Sequence, residues 1–148
     1  MNVKINRIVV ATDGSENVKN AVDWGIELAK ANDAIVTALY AIPPSGISLA
    51  MRGKSWAKGL QEHLKDEANK AVGYITDRGR EEEVAVESEI IEDKNPADAI
   101  VNFSSKSDID LIVMGTLGRT GLEHILLGSV AEKVVRHSDT QVLVVPSR

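Results

Sequence analysis

With 148 residues, 43% of them apolar and 26% charged, the chain reads as one soluble globular domain over 1–148, long enough to bury a core. A net charge of −5 argues against nonspecific binding to nucleic acid or acidic membranes, and the lack of cysteine excludes disulfides and thiolate chemistry. Aromatics, at 3%, are too few to build a stacking platform for bases.

Met1 to Asn6 is polar and does not read as a signal peptide. No window approaches the roughly 20 apolar residues that span a bilayer. The expected compartment is the cytoplasm. Arg7 to Thr12 carries Ile8-Val9-Val10-Ala11, a β-branched run without alternation, which suits a strand buried on both faces of a parallel sheet. Asp13-Gly14-Ser15 ends it, with Asp13 or Ser15 as a helix cap. Val18, Ala21, Val22, Gly25, Leu28 and Ala29 then form a helical stripe with Trp24 at its border. Asn32-Asp33 closes that helix, and Ala34 to Ile42 is a second strand, stopped by Pro43-Pro44.

Ser45 to Ser55 reads as a loop beside the carboxyl end of the second strand. Trp56 to Arg78 is the longest helical pattern, with Leu60, Leu64, Ala68, Ala71, Val72 and Ile75 on one side. Its other side, which includes Glu62, Lys65 and Glu67, reads as a solvated face, and Gly79 as the stop. A third strand follows from Val84 to Ile91, its partial alternation placing it nearer a sheet edge. Asn95-Pro96 starts a helix, with the amide as cap and proline at the first position. Ala97, Ile100, Val101 and Ser104 form its inner stripe.

The stretch from Asp110 to Ser129 carries the chemistry. Leu111 to Met114 is a strand that breaks at Gly115; Gly118, Gly121 and Gly128-Ser129 follow around a short apolar segment, and a helix begins. Glycines let backbone N–H groups approach an anion, and a helix start adds unpaired donors with partial positive charge. The pattern is neither a P-loop nor G-x-G-x-x-G. Turn chemistry explains single glycines, and Ser129 with Glu132 also fits a capping box. Four glycines around an apolar segment favour phosphate binding. The last helix ends in Arg136 and His137, and Gln141 to Val145 is a final strand.

Alternating strands and helices give an α/β class with an open parallel sheet and right-handed crossovers. Ligands in such sheets sit at the carboxyl ends of the strands, where the strand order reverses. The loops after strands one and four meet there only if those strands are neighbours, which gives the order 3-2-1-4-5.

Gly115, Gly118 and Gly128-Ser129, separated by two and nine residues, resemble the nucleotide-binding motif of the universal stress protein family, in its ATP-binding branch. The likeness runs from Arg7 to Val145 and includes I-V-V-A-T-D-G-S and G-S-V-A-E-K-V-V-R-H-S. It implies the same strand order, a Rossmann-like fold of the adenine nucleotide alpha hydrolase type, and ATP or AMP as ligand. It also implies an adenosine contact at Asp13, whose carboxylate can accept ribose hydroxyls; a cap or turn is the plainer reading of an isolated Asp-Gly, and its coincidence with the glycine motif favours the binding role. Backbone groups of Ala41 are implied at the adenine edge, with Ala11, Thr12 and Met114 as pocket walls. Val130 faces the nucleotide or simply packs. Arg119 and Thr120 reach terminal phosphates or are solvated loop.

His63, His124 and His137 make no metal-ligand spacing, so any Mg²⁺ is expected on the phosphates and water. The residues supply a nucleotide holder without assembled catalytic groups, so a regulatory or stress-response role is favoured. A slow ATPase or nucleotide-dependent enzyme is the alternative, and a dimeric scaffold without nucleotide is the third. In the order 3-2-1-4-5, Val142-Leu143-Val144-Val145 forms a sheet edge with no charge inside it, which predicts a homodimer through this strand, as the resemblance also implies.

Overall fold

The β-branched runs of the chain form five parallel strands: β1 (Arg7–Thr12), β2 (Ile35–Ile42), β3 (Val86–Glu92), β4 (Leu111–Gly115) and β5 (Gln141–Val145). Their order is β3-β2-β1-β4-β5, as the sequence predicts. The structure, a computed structural model, describes residues 1–42, 54–93, 95–117 and 127–147. Readings on 43–53, and on Gly118, Arg119, Thr120, Gly121 and His124, lie outside the described residues.

β1 is the central strand, and Ile8, Val9 and Val10 have no exposed surface, which is why its sequence does not alternate. Helices α1 (Lys19–Asn32) and α2 (Ser55–Glu81) cover one face; α3 (Pro96–Lys106) and α4 (Ser129–His137) cover the other. On the first face α1 packs on β1 and β4, and α2 on β2 and β3. The side chains of Ile8, Val10, Val36 and Ala38 point into that layer, while Val9, Leu39, Ile112 and Met114 point into the other. The Asp110 carboxylate accepts the backbone N–H groups of Asn6 (2.8 Å) and Arg7 (3.0 Å). It thereby sets β1 against β4, with Ile8 opposite Leu111 and Val10 opposite Val113.

Local signals read from the sequence are realised at several boundaries. Asn95 caps α3, its side-chain oxygen accepting from Ala97 N (3.0 Å) and Asp98 N (3.3 Å), with Pro96 first in the helix. Asp33 ends α1 in the left-handed region at φ 54°. β3 lies at one edge of the sheet and β5 at the other.

Four expectations need correction. Gly79 does not stop α2, which runs on to Glu81. The residue is buried, and a Cβ there would collide with the Val86 side chain and stand 3.0 Å from the Val84 carbonyl oxygen. Its glycine lets the helix close on β3. Trp24 does not pack at the border of its stripe but is 52% exposed, and Leu60 is likewise exposed. β3 begins at Val86 rather than Val84, because the Val84 N–H turns back to the Gly79 carbonyl (2.8 Å).

Candidate functional site

At the carboxyl ends of β1, β2 and β4 the two helical layers part around an open cleft of ≈ 420 Å³. Ala11, Thr12, Asp13, Ala41, Met114, Gly115, Gly128, Ser129 and Val130, all singled out from the sequence, line it together. Its remaining walls were not read from the sequence as a site. Val18, Tyr40, Leu64 and Glu67 stand on the α1–α2 side, and Leu39, Pro96, Ile100 and Ala131 on the α3–α4 side. Most of these belong to core stripes by pattern, and nothing in the pattern marks where a core opens. Glu67 corrects the reading of its helix side as solvated: its carboxylate is only partly exposed, lies on the cleft wall and meets His63 Nε2 at 3.2 Å.

The turn after β1 is built around Asp13. Its Oδ1 accepts from the Ser15 N–H (2.9 Å) and the Ser15 hydroxyl (2.6 Å), and the Thr12 hydroxyl accepts from Gly14 N–H (3.0 Å). Gly14 has φ 79°, a conformation that glycine adopts without strain. Ser15 itself makes no side-chain cap. Asp13 is therefore both a turn residue and a cleft residue, held in place with its carboxylate half-buried.

Across the cleft, the Thr116 N–H is taken by the Val145 carbonyl (3.1 Å) and the Gly128 N–H by the Thr116 carbonyl (2.6 Å). These bonds close the base of the turn onto the start of α4. Gly128, at φ −67° and ψ 165°, occupies ordinary extended backbone as the N-cap. Ser129 is the first helical residue, and no side chain caps this helix. The capping box of Ser129 with Glu132 is not formed: Glu132 instead accepts from Arg136 Nη2 at 2.8 Å. Because the first helical bond runs from Glu132 N–H to Gly128 O (2.9 Å), the N–H groups of Ser129, Val130 and Ala131 have no acceptor inside the helix. All three residues line the cleft. Such N–H groups, together with the helix dipole, suit an anion without needing a lysine.

The cleft thus brings together apolar side chains (Leu39, Ala41, Met114 and Ile100), the Asp13 carboxylate and the backbone donors at the start of α4. These groups suit a ligand with a flat apolar part, hydroxyls and an anionic tail. Among the described residues no group of three or more His, Cys, Asp and Glu could hold a metal ion.

The sequence profile of the universal stress protein family matches residues 4–146. A universal stress protein of Methanocaldococcus jannaschii is 43% identical over 140 residues, covering 94% of this chain and 81% of the relative. The structure of universal stress protein UspA from Lactobacillus plantarum superposes with a TM-score of 0.82 at 26% identity, covering 97% of this chain and 99% of that one. A universal stress protein in complex with cAMP has a TM-score of 0.73 at 26% identity, covering 98% of this chain and 99% of that one.

Proposed function

Because this chain belongs to the universal stress protein family, we propose that it is a cytoplasmic adenine-nucleotide-binding regulatory protein with a role in stress, acting as a homodimer of one-domain subunits. The ligand is ATP or AMP. The observation that carries the reading is that three residues whose N–H groups have no acceptor inside α4 line the same cleft as Asp13 and the apolar side chains. The related structure in complex with cAMP supports the same ligand class. In this proposal the phosphates meet the N–H groups of Ser129, Val130 and Ala131, the ribose hydroxyls donate to Asp13, and the base enters between Leu39, Ala41 and Ile100. Met114 and Gly115 form the floor, with Ala11 and Thr12 beside them. Gly118 and Arg119 belong to the proposed site from their place in the motif.

Mg²⁺ accompanies ATP on the phosphates and water. Hydrolysis is slow and secondary, because rapid phosphoryl transfer needs a group that orients water and charges that stabilise the phosphoryl oxygens. The homodimer is supported by the contrast between the two sheet edges. β3 carries exposed Glu87, Glu89 and Glu92, charges that discourage pairing, whereas β5 carries Val142, Leu143 and Val144, all half-buried. Isothermal titration of the purified protein with AMP and with ATP, each with and without Mg²⁺, tests the ligand. One saturable site per chain is expected, and no heat with either nucleotide would contradict the proposal.

A further inference from the structure

We infer that Glu67 is the side chain by which the cleft tells an amino base from an oxo base: its carboxylate accepts a hydrogen bond from the exocyclic amine of a bound purine nucleotide. This rests on the adenine-nucleotide reading above and adds the residue that sets its base selectivity.

The height of Glu67 follows from a contact at the far end of α2. A Cβ on Gly79 would collide with the Val86 side chain, and Val86, the first residue of β3, pairs with Val36 of β2. The C-terminal end of α2 therefore lies at the amino ends of the strands, and the helix runs antiparallel to them. A helix rises ~1.5 Å per residue, which places Glu67 ~18 Å from Gly79 along α2. A parallel strand rises ~3.3 Å per residue, so the same height above Val36 is reached at Ala41 and Ile42. Glu67 thus stands beside the carboxyl end of β2, where the proposed function puts the base.

The direction of Glu67 follows from residues further down the same helix. The Tyr74 ring lies 5.3 Å from Lys19 Nζ, and Arg78 Nε donates to Asp23 Oδ1 at 3.2 Å, so this flank of α2 faces α1. Glu67 precedes Tyr74 by two turns and shares that flank. Because α1 begins at Lys19, opposite Tyr74, the flank meets the cleft instead at the height of Glu67, with Val18 and Leu64 also on the wall.

A carboxylate on the wall of a cleft proposed for an anion is unfavourable near the phosphates and favourable beside a donor of the ligand. β2 and β4 flank β1, so their ends stand ~10 Å apart, and α2 and α4 lie on opposite faces of the sheet. The cleft therefore has an acceptor at one end and the α4 donors at the other, which matches a nucleotide whose base carries an amine. Glu67 Oε1 meets His63 Nε2 at 3.2 Å. A carboxylate offers about four acceptor positions, so it can keep this partner and accept from a ligand as well. The amine brings two N–H groups, one for the backbone of Ala41 and one for Glu67. An oxo group in its place has only lone pairs, which the carboxylate repels.

Calorimetry with AMP and with inosine monophosphate, in which an oxo group replaces the 6-amino group, tests this on the full chain. The wild type should bind AMP at least about tenfold more tightly than inosine monophosphate. In Glu67→Gln the amide can accept from an amine or donate to an oxo group, so the ratio should fall at least about fivefold, through tighter binding of inosine monophosphate. Glu67→Ala, a favourable change for the helix, should weaken AMP and leave inosine monophosphate no weaker. Glu62→Gln, at an exposed position of the same helix, should leave the ratio unchanged. Equal losses of both nucleotides in the Glu67 variants, or a ratio that neither variant moves, would overturn the role of Glu67 while leaving the cleft as the nucleotide site. A wild type that binds the two nucleotides equally would do the same. A wild type that binds no AMP would overturn the proposed function and this inference together.

Discussion

Replacing glycine by alanine at two positions of α2 should move stability in opposite directions. At Gly73 a Cβ meets nothing within 4 Å, so Gly73→Ala gains only the helix propensity difference, about 1 kcal/mol. At Gly79 the same propensity gain meets a collision with the Val86 side chain and the Val84 carbonyl oxygen. Valine is stiff at χ1, and a carbonyl held in a turn cannot rotate away. Overpacking of this kind costs ~1–3 kcal/mol, toward the upper end here, so Gly79→Ala should lose about 1–2 kcal/mol net. The two variants should therefore differ by about 2–3 kcal/mol, or roughly 4–12 °C in Tm for a chain of this size. Urea unfolding followed by far-ultraviolet circular dichroism, at one fixed protein concentration because the proposed dimer would shift apparent stability, measures both. Adding Val86→Ala to Gly79→Ala should recover part of the loss, a coupling of about 1 kcal/mol. Gly79→Ala that stabilises as much as Gly73→Ala would refute the close helix–strand approach.

Other consequences are as direct. Gly128→Val should cost about 1 kcal/mol or less of stability, since the residue has ordinary extended geometry. It should nevertheless weaken AMP binding more than about tenfold in calorimetry by crowding the α4 donors; unchanged affinity would count against that site. Asn95→Ala should cost about 1 kcal/mol by leaving the Ala97 and Asp98 N–H groups uncapped, read by chemical denaturation. The hydrogen bond from Lys30, and then its charge, holds the Glu82 carboxyl below its usual range, while Lys30 is raised by the same partner. The pair's contribution is thus present above the ordinary carboxylate value and is lost as pH falls through the lowered one. At the alkaline end it is lost as pH rises through the raised lysine value. Wild type and Glu82→Gln should converge in stability as the solution is acidified; a gap that persists would contradict the pairing.

Topology was legible because it is tied to chemistry: loops after β1 and β4 can share a ligand only if those strands are neighbours, and the sheet has that order. Asn95-Pro96 and Asp33 were legible because caps act over three or four residues. Gly79 was misread because a glycine that ends a helix and one that lets a strand approach look alike in sequence. The Ser129–Glu132 pattern misled for a similar reason. A capping box requires Ser129 as the N-cap, but the first helical bond runs from Glu132 N–H to the Gly128 carbonyl, which makes Gly128 the cap instead. Within the cleft, residues that follow a strand end or precede a helix could be named from the chain. Leu64, Glu67 and Ile100 reach the cleft only through the way their helices lie across the sheet, and helix placement has no local signal.

In the proposed function one cleft holds an adenine nucleotide, with its phosphates on the start of α4. Titrating uniformly ¹⁵N-labelled protein with AMP and following backbone amide shifts tests it residue by residue. The largest shifts are expected at Ser129, Val130 and Ala131, with further changes at Asp13 to Ser15, Ala41 and Gly115, and none at the opposite end of the sheet around Arg7 and Glu87. Saturable shifts confined to another surface, or a spectrum that AMP leaves unchanged, would contradict it.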